Sequence, residues 1–312
     1  MAAKQSYRIF DVTLARRTPI SPSLVRFTFT GPEVGQMATH APDQRIKLFF
    51  PNPEADGGLD ALLEIARHQE HDWYGAYRAL PDAQRSPMRT YTIRDLRPAS
   101  AEVDVEFVLH GDNGPASRWA MQARPGDRLA MTAPVADTDP VGFEWKPPRG
   151  VRRILVVADE TALPAAAGIL EELAARSDRP LVQALVEVPK GADAQALTPT
   201  AQVRWLPRDA TPGCVHGERL LSAVRDLDLN REIRVLGGEP GNVERADTAE
   251  ETADDCLFWE AASVDDSAPF YAWIAAETKV ARGIRRYLVN ECGLPKRYVT
   301  SMGYWCEGKV LG

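Results

Sequence analysis

Residues 153–158 read Arg-Ile-Leu-Val-Val-Ala, a short and almost continuous apolar run. Such a run is typical of a strand that is buried on both faces of a parallel sheet. Further strands are predicted at 181–188, 202–206, 232–236, 270–276 and 298–304, and helices at 161–176, 218–227 and 279–291. The alternation of strands and helices predicts an α/β domain with a mostly parallel sheet over residues 151–312.

The first 139 residues have a different pattern, with short alternating or β-branched segments and little helix. Strands are predicted at 24–30, 45–50, 91–94, 103–110 and 128–132. The stretch at 57–80 interrupts them and predicts a loop with a short helix. The pattern predicts an N-terminal antiparallel Greek-key β-barrel over 1–139. Residues 140–150 hold three prolines and two glycines, which predicts a linker.

Composition narrows the possible partners. The 312 residues carry a net charge of −7, so nucleic acid and anionic membrane surfaces are not expected partners. No apolar leader and no run long enough to span a bilayer are found, which predicts a cytoplasmic protein. Residues 239–267 are rich in Asp and Glu and predict a solvated, partly disordered acidic insertion.

Four cysteines lie at positions 214, 256, 292 and 306, and none forms a Cys-x-x-Cys pair. Their spacing matches no zinc or iron–sulfur pattern. The sequence therefore predicts four free thiols in a reducing compartment and no metal site.

The segment Arg89-Thr-Tyr91-Thr92-Ile-Arg94 carries the first candidate site. A flavin needs an aromatic ring against the isoalloxazine, hydrogen-bond partners for its polar edge, and cations for its pyrophosphate. Tyr, Thr and Arg supply these groups within one short strand. The alternative is an ordinary amphipathic strand with exposed arginines.

Two further segments follow strand ends. His110-Gly-Asp-Asn-Gly114 is a glycine-rich turn before a predicted helix near Ala116, and N–H groups at a helix start bind phosphate oxygens. His110 alone is better explained by a structural role than by a catalytic one. Asp159-Glu160-Thr161-Ala162 follows the strand at 153–158, at the edge where open α/β sheets bind ligands. Its alternative is a helix start capped by Asp159 or Thr161. No G-x-G-x-x-G fingerprint accompanies it.

Together these motifs resemble those of the siderophore-interacting protein family of ferric-siderophore reductases. They read R-x-Y-T-x-R, H-G-x-x-G-P-A-S-x-W-A, D-E-T-A-L-P-A and a terminal G-Y-W, in the family's order over residues 89–305. The resemblance implies an FAD-binding barrel, a nicotinamide-binding C-terminal domain, and FAD-mediated reduction of siderophore-bound Fe(III) by NADH, NADPH or a ferredoxin. It assigns FAD contacts to Arg89, Tyr91, Thr92, Arg94, His110, Gly114, Ala116, Ser117, Trp119, Ala120, Asp159, Thr161 and Ala162.

The sequence departs from the family pattern in three places. Where the family reads W-x-A-G-E, this chain has Ala276 before Glu277, so a methyl group is expected where a nicotinamide approaches the backbone. Cys306-Glu307 replaces an arginine that often follows G-Y-W. The acidic insertion at 239–267 would repel an anionic ligand if it lay near the site.

A basic cluster is the candidate for capturing an anionic ferric siderophore. Lys279, Arg282 and Arg286 share one face of the last predicted helix. Lys47, Arg118 and Lys309 complete the predicted substrate-binding set. The alternative is a solvated basic face. Two other functions also fit the sequence, a flavin reductase with a different acceptor and a siderophore-binding protein with little turnover. A monomer is expected.

Overall fold

The computed structural model describes residues 6–52, 58–68, 73–109, 111, 114–197, 201–229, 234 and 258–309. The chain forms two compact units that divide between Phe143 and Glu144. Each unit has its own sheet and its own hydrophobic core. None of the helices in the described part of the chain is long and apolar enough to cross a membrane.

The first unit is a curled antiparallel sheet, as predicted. Its seven strands are β1 (Tyr7–Pro19), β2 (Leu24–Thr30), β3 (Arg45–Phe49), β4 (Met88–Thr92), β5 (Asp95–Arg97), β6 (Glu102–Val108) and β7 (Arg128–Pro134). They lie in the order β4-β3-β7-β1-β2-β6-β5. The two edge strands β4 and β5 are separated by only two residues, Ile93 and Arg94, so the sheet must curl to bring its edges together.

The core of this sheet is aromatic at one end. Phe27 and Phe29 of β2 and Phe107 of β6 are fully or almost fully buried, because alternate residues of each strand face inward. The helix α3 (Pro115–Gln122) packs Ala116 and Ala120 against the same core. This helix follows the glycine-rich turn, as the sequence predicted.

The interruption at 57–80 contains two helices instead of the predicted loop with one short helix. They are α1 (Gly58–His68) and α2 (Trp73–Ala79). Trp73 and Tyr77, four residues apart, lie on one side of α2 and make edge contacts with Phe49 of β3. The prediction was wrong because this second apolar stripe is only seven residues long and is recognisable only against the strand that it covers.

Cross-strand ion pairs stabilise another part of the sheet. Asp104 and Glu106 of β6 are 4% and 5% exposed. Asp104 accepts hydrogen bonds from Thr28 at 2.6 Å and from Arg97 at 2.7 Å. Glu106 accepts one from Arg26 at 2.6 Å. These buried carboxylates are therefore paired, as burial of charge requires.

The second unit is a six-stranded sheet, mostly parallel as predicted. Its strands are β8 (Arg153–Ala158), β9 (Leu181–Val188), β10 (Gln202–Pro207), β11 (Trp259–Glu260), β12 (Phe270–Glu277) and β13 (Val299–Trp305). The order is β10-β9-β8-β12-β13-β11, and only β11 runs antiparallel to its neighbour. The helices are α4 (Leu163–Ala175), α5 (Glu218–Arg225) and α6 (Thr278–Arg286).

Three predictions in this unit differ from the structure or lie partly outside its described residues. The strand expected at 232–236 lies outside the described residues except for Arg234, which is helical. Of the acidic insertion, residues 239–257 are also outside the described part. Its remainder is not simply solvated, because β11 pairs with β13 and the carbonyl oxygen of Phe258 accepts a 2.8 Å hydrogen bond from the Gly303 amide. The helix expected at 279–291 continues beyond α6 as a π-helical turn over Tyr287–Glu291.

The prediction of four free thiols was wrong. Cys214 and Cys292 are free, but Cys306 is disulfide-bonded. Cys256 lies outside the described residues. Spacing along the sequence does not report which thiols a fold brings together, so the pattern of cysteines gave no signal for this bond.

Candidate functional site

The predicted flavin strand, β4, ends against the aromatic core of the first unit. The ring of Tyr91 is partly buried and lies 4.2 Å from the ring of Phe107, measured between centroids. Burial raises the pKa of Tyr91, so its hydroxyl stays protonated. Ile93 packs into the same core.

The two arginines of this motif are held by neighbouring groups. Arg89 is partly buried, and its Nη1 donates a 2.8 Å hydrogen bond to the carbonyl of Met88. Burial lowers the pKa of Arg89 from its usual value. The side chain of Arg94 is 14% exposed, and its Nε lies 3.7 Å from Oε1 of Glu106. Thr92 is buried. Both cations are thus ordered at the site, and neither is a freely solvated arginine.

The helix α3 brings Trp119 to the same aromatic cluster. Its ring lies 6.0 Å from Phe107 and 5.8 Å from Phe50. Ala116 and Ala120 face the core, so only their backbone is available to a ligand. Ser117 is partly exposed and Arg118 exposed. Tyr91 and Trp119 therefore converge on shared aromatic neighbours, although 28 residues separate them in the sequence.

The start of α3 is open. Gly114 precedes it with a φ of +132°, a backbone conformation that favours glycine, and among the described residues no side chain caps the helix. The first N–H groups of the helix therefore keep their capacity to bind an anion. His110 lies outside the described residues.

The predicted substrate residue Lys47 pairs with Thr90, on the neighbouring strand. Its Nζ lies 3.4 Å from the Thr90 hydroxyl, and burial, together with Arg45, lowers the pKa of Lys47. Successive residues of a strand point to opposite faces, so Lys47 and Thr90 lie on the face opposite the Tyr91 ring.

In the second unit, the Asp159 side chain is fully buried and holds together the carboxyl ends of two strands. Its Oδ1 accepts hydrogen bonds from the Thr161 amide at 2.9 Å and from the Thr161 hydroxyl at 2.6 Å. The Ala162 amide donates to the same oxygen. Its Oδ2 accepts from the Glu277 amide at 2.8 Å and from Nε1 of Trp305 at 2.9 Å. These are the bonds of a cap and a strand-to-strand tie. An FAD contact by Asp159, Thr161 or Ala162 stays a prediction.

A buried ion-pair network adjoins Asp159, and the sequence motifs did not reveal it. Arg208 donates to both oxygens of Glu160, at 2.7 and 2.8 Å, and also to Glu187 at 3.2 Å. Nε2 of His216 lies 3.4 Å from Oδ2 of Asp159 and 3.6 Å from Oε2 of Glu160. Its ring packs edge-on against Trp305, at 5.0 Å.

The protonation states follow from this packing. Burial alone would raise the pKa of Glu160, but hydrogen bonds from Arg208 and His216 lower it to about 2. Burial alone would lower the pKa of His216, but Asp159 and Glu160 raise it to about 10. His216 is therefore an imidazolium at neutral pH.

Asp159, Glu160 and His216 are also close enough together to suggest a metal site. These three residues bring possible ligand atoms within 4.8 Å of one another. However, N–H donors and Arg208 already bind the carboxylate oxygens. The set of donors therefore suits an imidazolium better than a divalent cation.

The other helices of this unit begin at carboxylates from strand ends. Glu187, at β9, accepts from the Gly217 amide at 2.7 Å and from the Leu220 amide at 3.1 Å, at the start of α5. Glu277, at β12, accepts from the Lys279 amide at 2.6 Å and from the Val280 amide at 3.2 Å, at the start of α6. Both carboxylates are buried.

The departure at Ala276 lies in the core of the second unit. The Ala276 side chain is fully buried and packs in the core around α6, with Val280 and Ile284. Its methyl group therefore faces the protein interior, on the helix-covered face of the sheet. An effect of Ala276 on the binding of a nicotinamide stays a prediction.

The residues of the predicted basic face of α6 differ in their exposure and contacts. Lys279 and Arg286 are exposed, but the guanidinium of Arg282 lies over the ring of Phe258, at 5.2 Å. Arg282 therefore helps to hold the segment that precedes β11. Lys309 is exposed, at the turn that follows Cys306.

Comparison with known families gives two matches that together cover most of the chain. Residues 13–138 match the siderophore-interacting FAD-binding domain, and residues 151–308 match the siderophore-interacting protein model. The second match alone covers more than half of the chain.

The chain belongs to the siderophore-interacting protein family.

Characterised relatives and solved structures of similar proteins agree with this assignment. The chain is 29% identical over 306 residues to the ferric vibriobactin reductase ViuB of Vibrio cholerae, covering 97% of this chain and 90% of the relative. It is 30% identical over 211 residues to the NADPH-dependent ferric-chelate reductase of Escherichia coli, covering 66% and 74%. The siderophore-interacting protein SipS from Aeromonas hydrophila has a similar structure, with a TM-score of 0.65 and 25% identity over 97% of this chain and 93% of that chain.

Both candidate regions of this family member lie inside the matched spans. The strand β4 and the helix α3 fall within 13–138, and the carboxyl edge of the parallel sheet falls within 151–308. Sequence reasoning missed Arg208, His216 and Glu187. No local pattern marks them, because each meets its partners only after the sheet has formed.

Proposed function

We propose that this siderophore-interacting protein is an FAD-dependent reductase that converts Fe(III) in ferric siderophores to Fe(II). The observation that carries the proposal is the match of residues 13–138 to a siderophore-interacting FAD-binding domain, in which Tyr91 and Trp119 pack on one aromatic cluster. The names of the two reductase relatives support the reaction. Release of iron follows because hard oxygen ligands hold Fe(II) less tightly than Fe(III).

The residues of the first unit fit FAD. Tyr91 offers an aromatic ring beside Phe107, Arg89 and Arg94 offer guanidinium groups that suit phosphate oxygens, and the uncapped start of α3 offers N–H groups. A dinucleotide needs these three kinds of group together. Thr92, Gly114 and Ser117 are further proposed contacts, and Ala116 and Ala120 are proposed to contribute through their backbone.

Bound FAD supplies hydride acceptance from a reduced nicotinamide and one-electron donation to iron. The chain contributes binding and orientation. The ring of Tyr91 packs against the core and is thereby fixed in position. The raised pKa of Tyr91 keeps its hydroxyl protonated, so that it can donate a hydrogen bond. Arg89 and Arg94 place positive charge beside it and favour an anionic group there. We propose NADPH or NADH as the donor, with a ferredoxin as the alternative.

For substrate capture we propose the exposed cations Lys279, Arg118 and Lys309, with Lys47 as a partly buried contributor. An anionic ferric siderophore gains local concentration from such charges. Arg282 is a weaker candidate, because its guanidinium is engaged with Phe258.

The test begins with purification and reconstitution with FAD. A protein with a flavin absorbance near roughly 450 nm supports a flavoprotein, and one that takes up no FAD contradicts the proposal. The reduced protein is then mixed anaerobically with a ferric tris-catecholate, and Fe(II) is trapped with ferrozine. Reoxidised flavin with trapped Fe(II) is the expected result. Siderophore binding without Fe(II) would favour a binding protein, and reoxidation only by quinones or simple ferric chelates would favour another flavin reductase.

A further inference from the structure

The carboxyl edge of the parallel sheet is the place where open α/β domains bind ligands. Dinucleotide phosphates there commonly use the free N–H groups and the positive end of a helix. In this protein, α5 and α6 both begin at buried carboxylates. Glu187 accepts two amides at the start of α5, and Glu277 accepts two at the start of α6. Their N–H groups and their positive ends are thus already matched by negative charge.

The turn before α4 also holds a buried carboxylate. Asp159 accepts the amides of Thr161 and Ala162, and Pro164, the second residue of α4, has no N–H. A pyrophosphate at this edge would therefore find these turn amides, and the first amides of α5 and α6, already bonded to carboxylates.

One aromatic side chain at this edge is fixed by several independent contacts. The indole of Trp305 donates to Asp159 at 2.9 Å, and its ring packs against His216 at 5.0 Å. Its carbonyl accepts from the Thr278 hydroxyl at 2.9 Å. Trp305 nevertheless remains partly exposed. An ordered and partly exposed indole presents a rigid flat surface to a ligand.

The backbone is also shaped to place this indole. Ala276 of β12 pairs with Gly303, but Glu277 pairs with Trp305, so one extra residue bulges from β13. Bulges at strand ends redirect side chains and occur frequently beside binding sites. A Cβ at Gly303 would lie 2.4 Å from the Thr278 hydroxyl oxygen, so glycine is needed for this close approach.

We propose that the carboxyl edge of the α/β unit recognises a reduced nicotinamide donor through its planar ring, stacked on Trp305, and not through its pyrophosphate. The inference rests on the proposed function, since a hydride donor matters only to a flavin reductase. Stacking on an indole favours a planar ring, and the oxidised nicotinamide ring is a cation that an indole face also attracts. In this proposal Trp305 determines specificity by binding the nicotinamide ring. The carboxylates of Asp159, Glu187 and Glu277 determine it by disfavouring phosphate groups.

The proposal predicts weak discrimination among donors. NADPH, NADH and reduced nicotinamide mononucleotide share the ring and differ in the phosphates and the adenosine. Stopped-flow reduction of the FAD-loaded protein is expected to give second-order rate constants within about threefold of one another, because the proposed site makes no charge-assisted phosphate contact, which would be worth roughly tenfold or more. A preference above tenfold for NADPH or NADH over the mononucleotide would overturn the proposal.

Inhibition experiments provide a second measurement, which distinguishes binding through the nicotinamide ring from binding through the pyrophosphate. Oxidised nicotinamide mononucleotide is expected to compete with the donor, and ADP-ribose, which has the pyrophosphate but no nicotinamide, is expected not to compete. Equilibrium dialysis of the two ligands with the FAD-loaded protein measures the same difference without turnover. Tighter binding of ADP-ribose would refute the assignment.

Variants test the indole directly. Trp305→Leu is expected to lower the rate constant at least tenfold for all three donors with unchanged FAD content, and Trp305→Phe to lower it less. The control is Trp205→Leu on β10, which replaces another partly exposed tryptophan of the same sheet and is expected to have no effect. If Trp305→Leu weakened only the ferric siderophore, the indole would belong to the substrate and the inference would fail.

Dithionite separates this inference from the proposed function. If dithionite-reduced protein reduces a ferric tris-catecholate but no nicotinamide donor reduces the flavin, the inference is wrong and the proposed function stands. If the protein binds no FAD, both are wrong.

Discussion

The imidazolium of His216 makes the free energy of unfolding depend on pH, and the substitution His216→Gln is expected to remove this dependence. Its pKa is raised to about 10 because Asp159 and Glu160 outweigh the effect of burial. In the unfolded chain a histidine titrates near roughly 6.5. Between these two pH values the folded protein holds one proton more than the unfolded chain, so unfolding releases a proton.

The sign and size follow from linkage. A raised folded pKa contributes stability that is fully present below about pH 6.5 and is lost as the pH rises towards 10. One proton corresponds to a loss of about 1.4 kcal/mol in the free energy of unfolding for each pH unit. Glu160 does not offset this loss, because its pKa of about 2 keeps it ionised throughout the range.

Urea unfolding at pH 7, 8 and 9 measures the slope. We expect the wild type to lose about 1.4 kcal/mol per pH unit more than His216→Gln, and the two free energies to converge towards pH 10. His68→Gln, which changes an exposed histidine at the end of α1, is the control and is expected to keep the wild-type slope. Parallel slopes for wild type and His216→Gln would show that the imidazolium does not form.

Three further predictions, two of them with a matched control variant, test the packing and the site. Gly303→Ala places a Cβ 2.4 Å from Thr278 Oγ1 and is expected to lower the free energy of unfolding by about 2 kcal/mol in urea. Its control is Gly283→Ala. Gly283 lies inside α6, and an added Cβ there would have its nearest atom at 3.4 Å, so this variant is expected to raise the free energy of unfolding by about 0.5 kcal/mol. Tyr91→Ala is expected to raise the Kd for FAD at least tenfold, measured by fluorescence titration, and Tyr91→Phe is expected to stay close to the wild type. If Tyr91→Ala bound FAD as tightly as the wild type, Tyr91 would not contact FAD. Arg208→Met removes the guanidinium that pairs with two buried carboxylates, Glu160 and Glu187, and is expected to cost about 3–5 kcal/mol by urea unfolding; a loss below about 1 kcal/mol would mean that the network is solvated.

Local patterns carried the prediction of the fold. The strand predicted at 181–188 is β9, because an apolar β-branched run bounded by a turn is a property of the segment itself. The capping alternative for Asp159 was equally local, since the bonded amides lie two and three residues ahead. In contrast, α2 required knowledge of the Phe49 face that it covers.

The electrostatic part of the site was not predictable in this way. Arg208 meets Glu160 across 48 residues, and Trp305 meets Asp159 across 146. Such pairs are selected by the order of the strands, which brings the ends of β8, β9, β12 and β13 to one edge. Periodicity reveals that each strand exists, but it contains no information about which charges the sheet places side by side.

The two units differ in the charge that they place at the starts of their helices. This difference offers a physical explanation for the departure from the family pattern at Cys306-Glu307. In the described part of the first unit, the start of α3 has no side-chain cap, and two arginines, Arg89 and Arg94, are ordered on the flavin segment. The second unit places carboxylates at the starts of α5 and α6 and in the turn before α4, and Arg208 and His216 pair with Glu187 and Asp159 among them. Cys306-Glu307, where the family often has arginine, continues this arrangement, since the Glu307 amide donates to Oε1 of Glu277 at 3.2 Å. An arginine there would add positive charge to an edge that is already compensated. The absence of an arginine at this position agrees with the proposal that this edge recognises a planar ring and not a pyrophosphate.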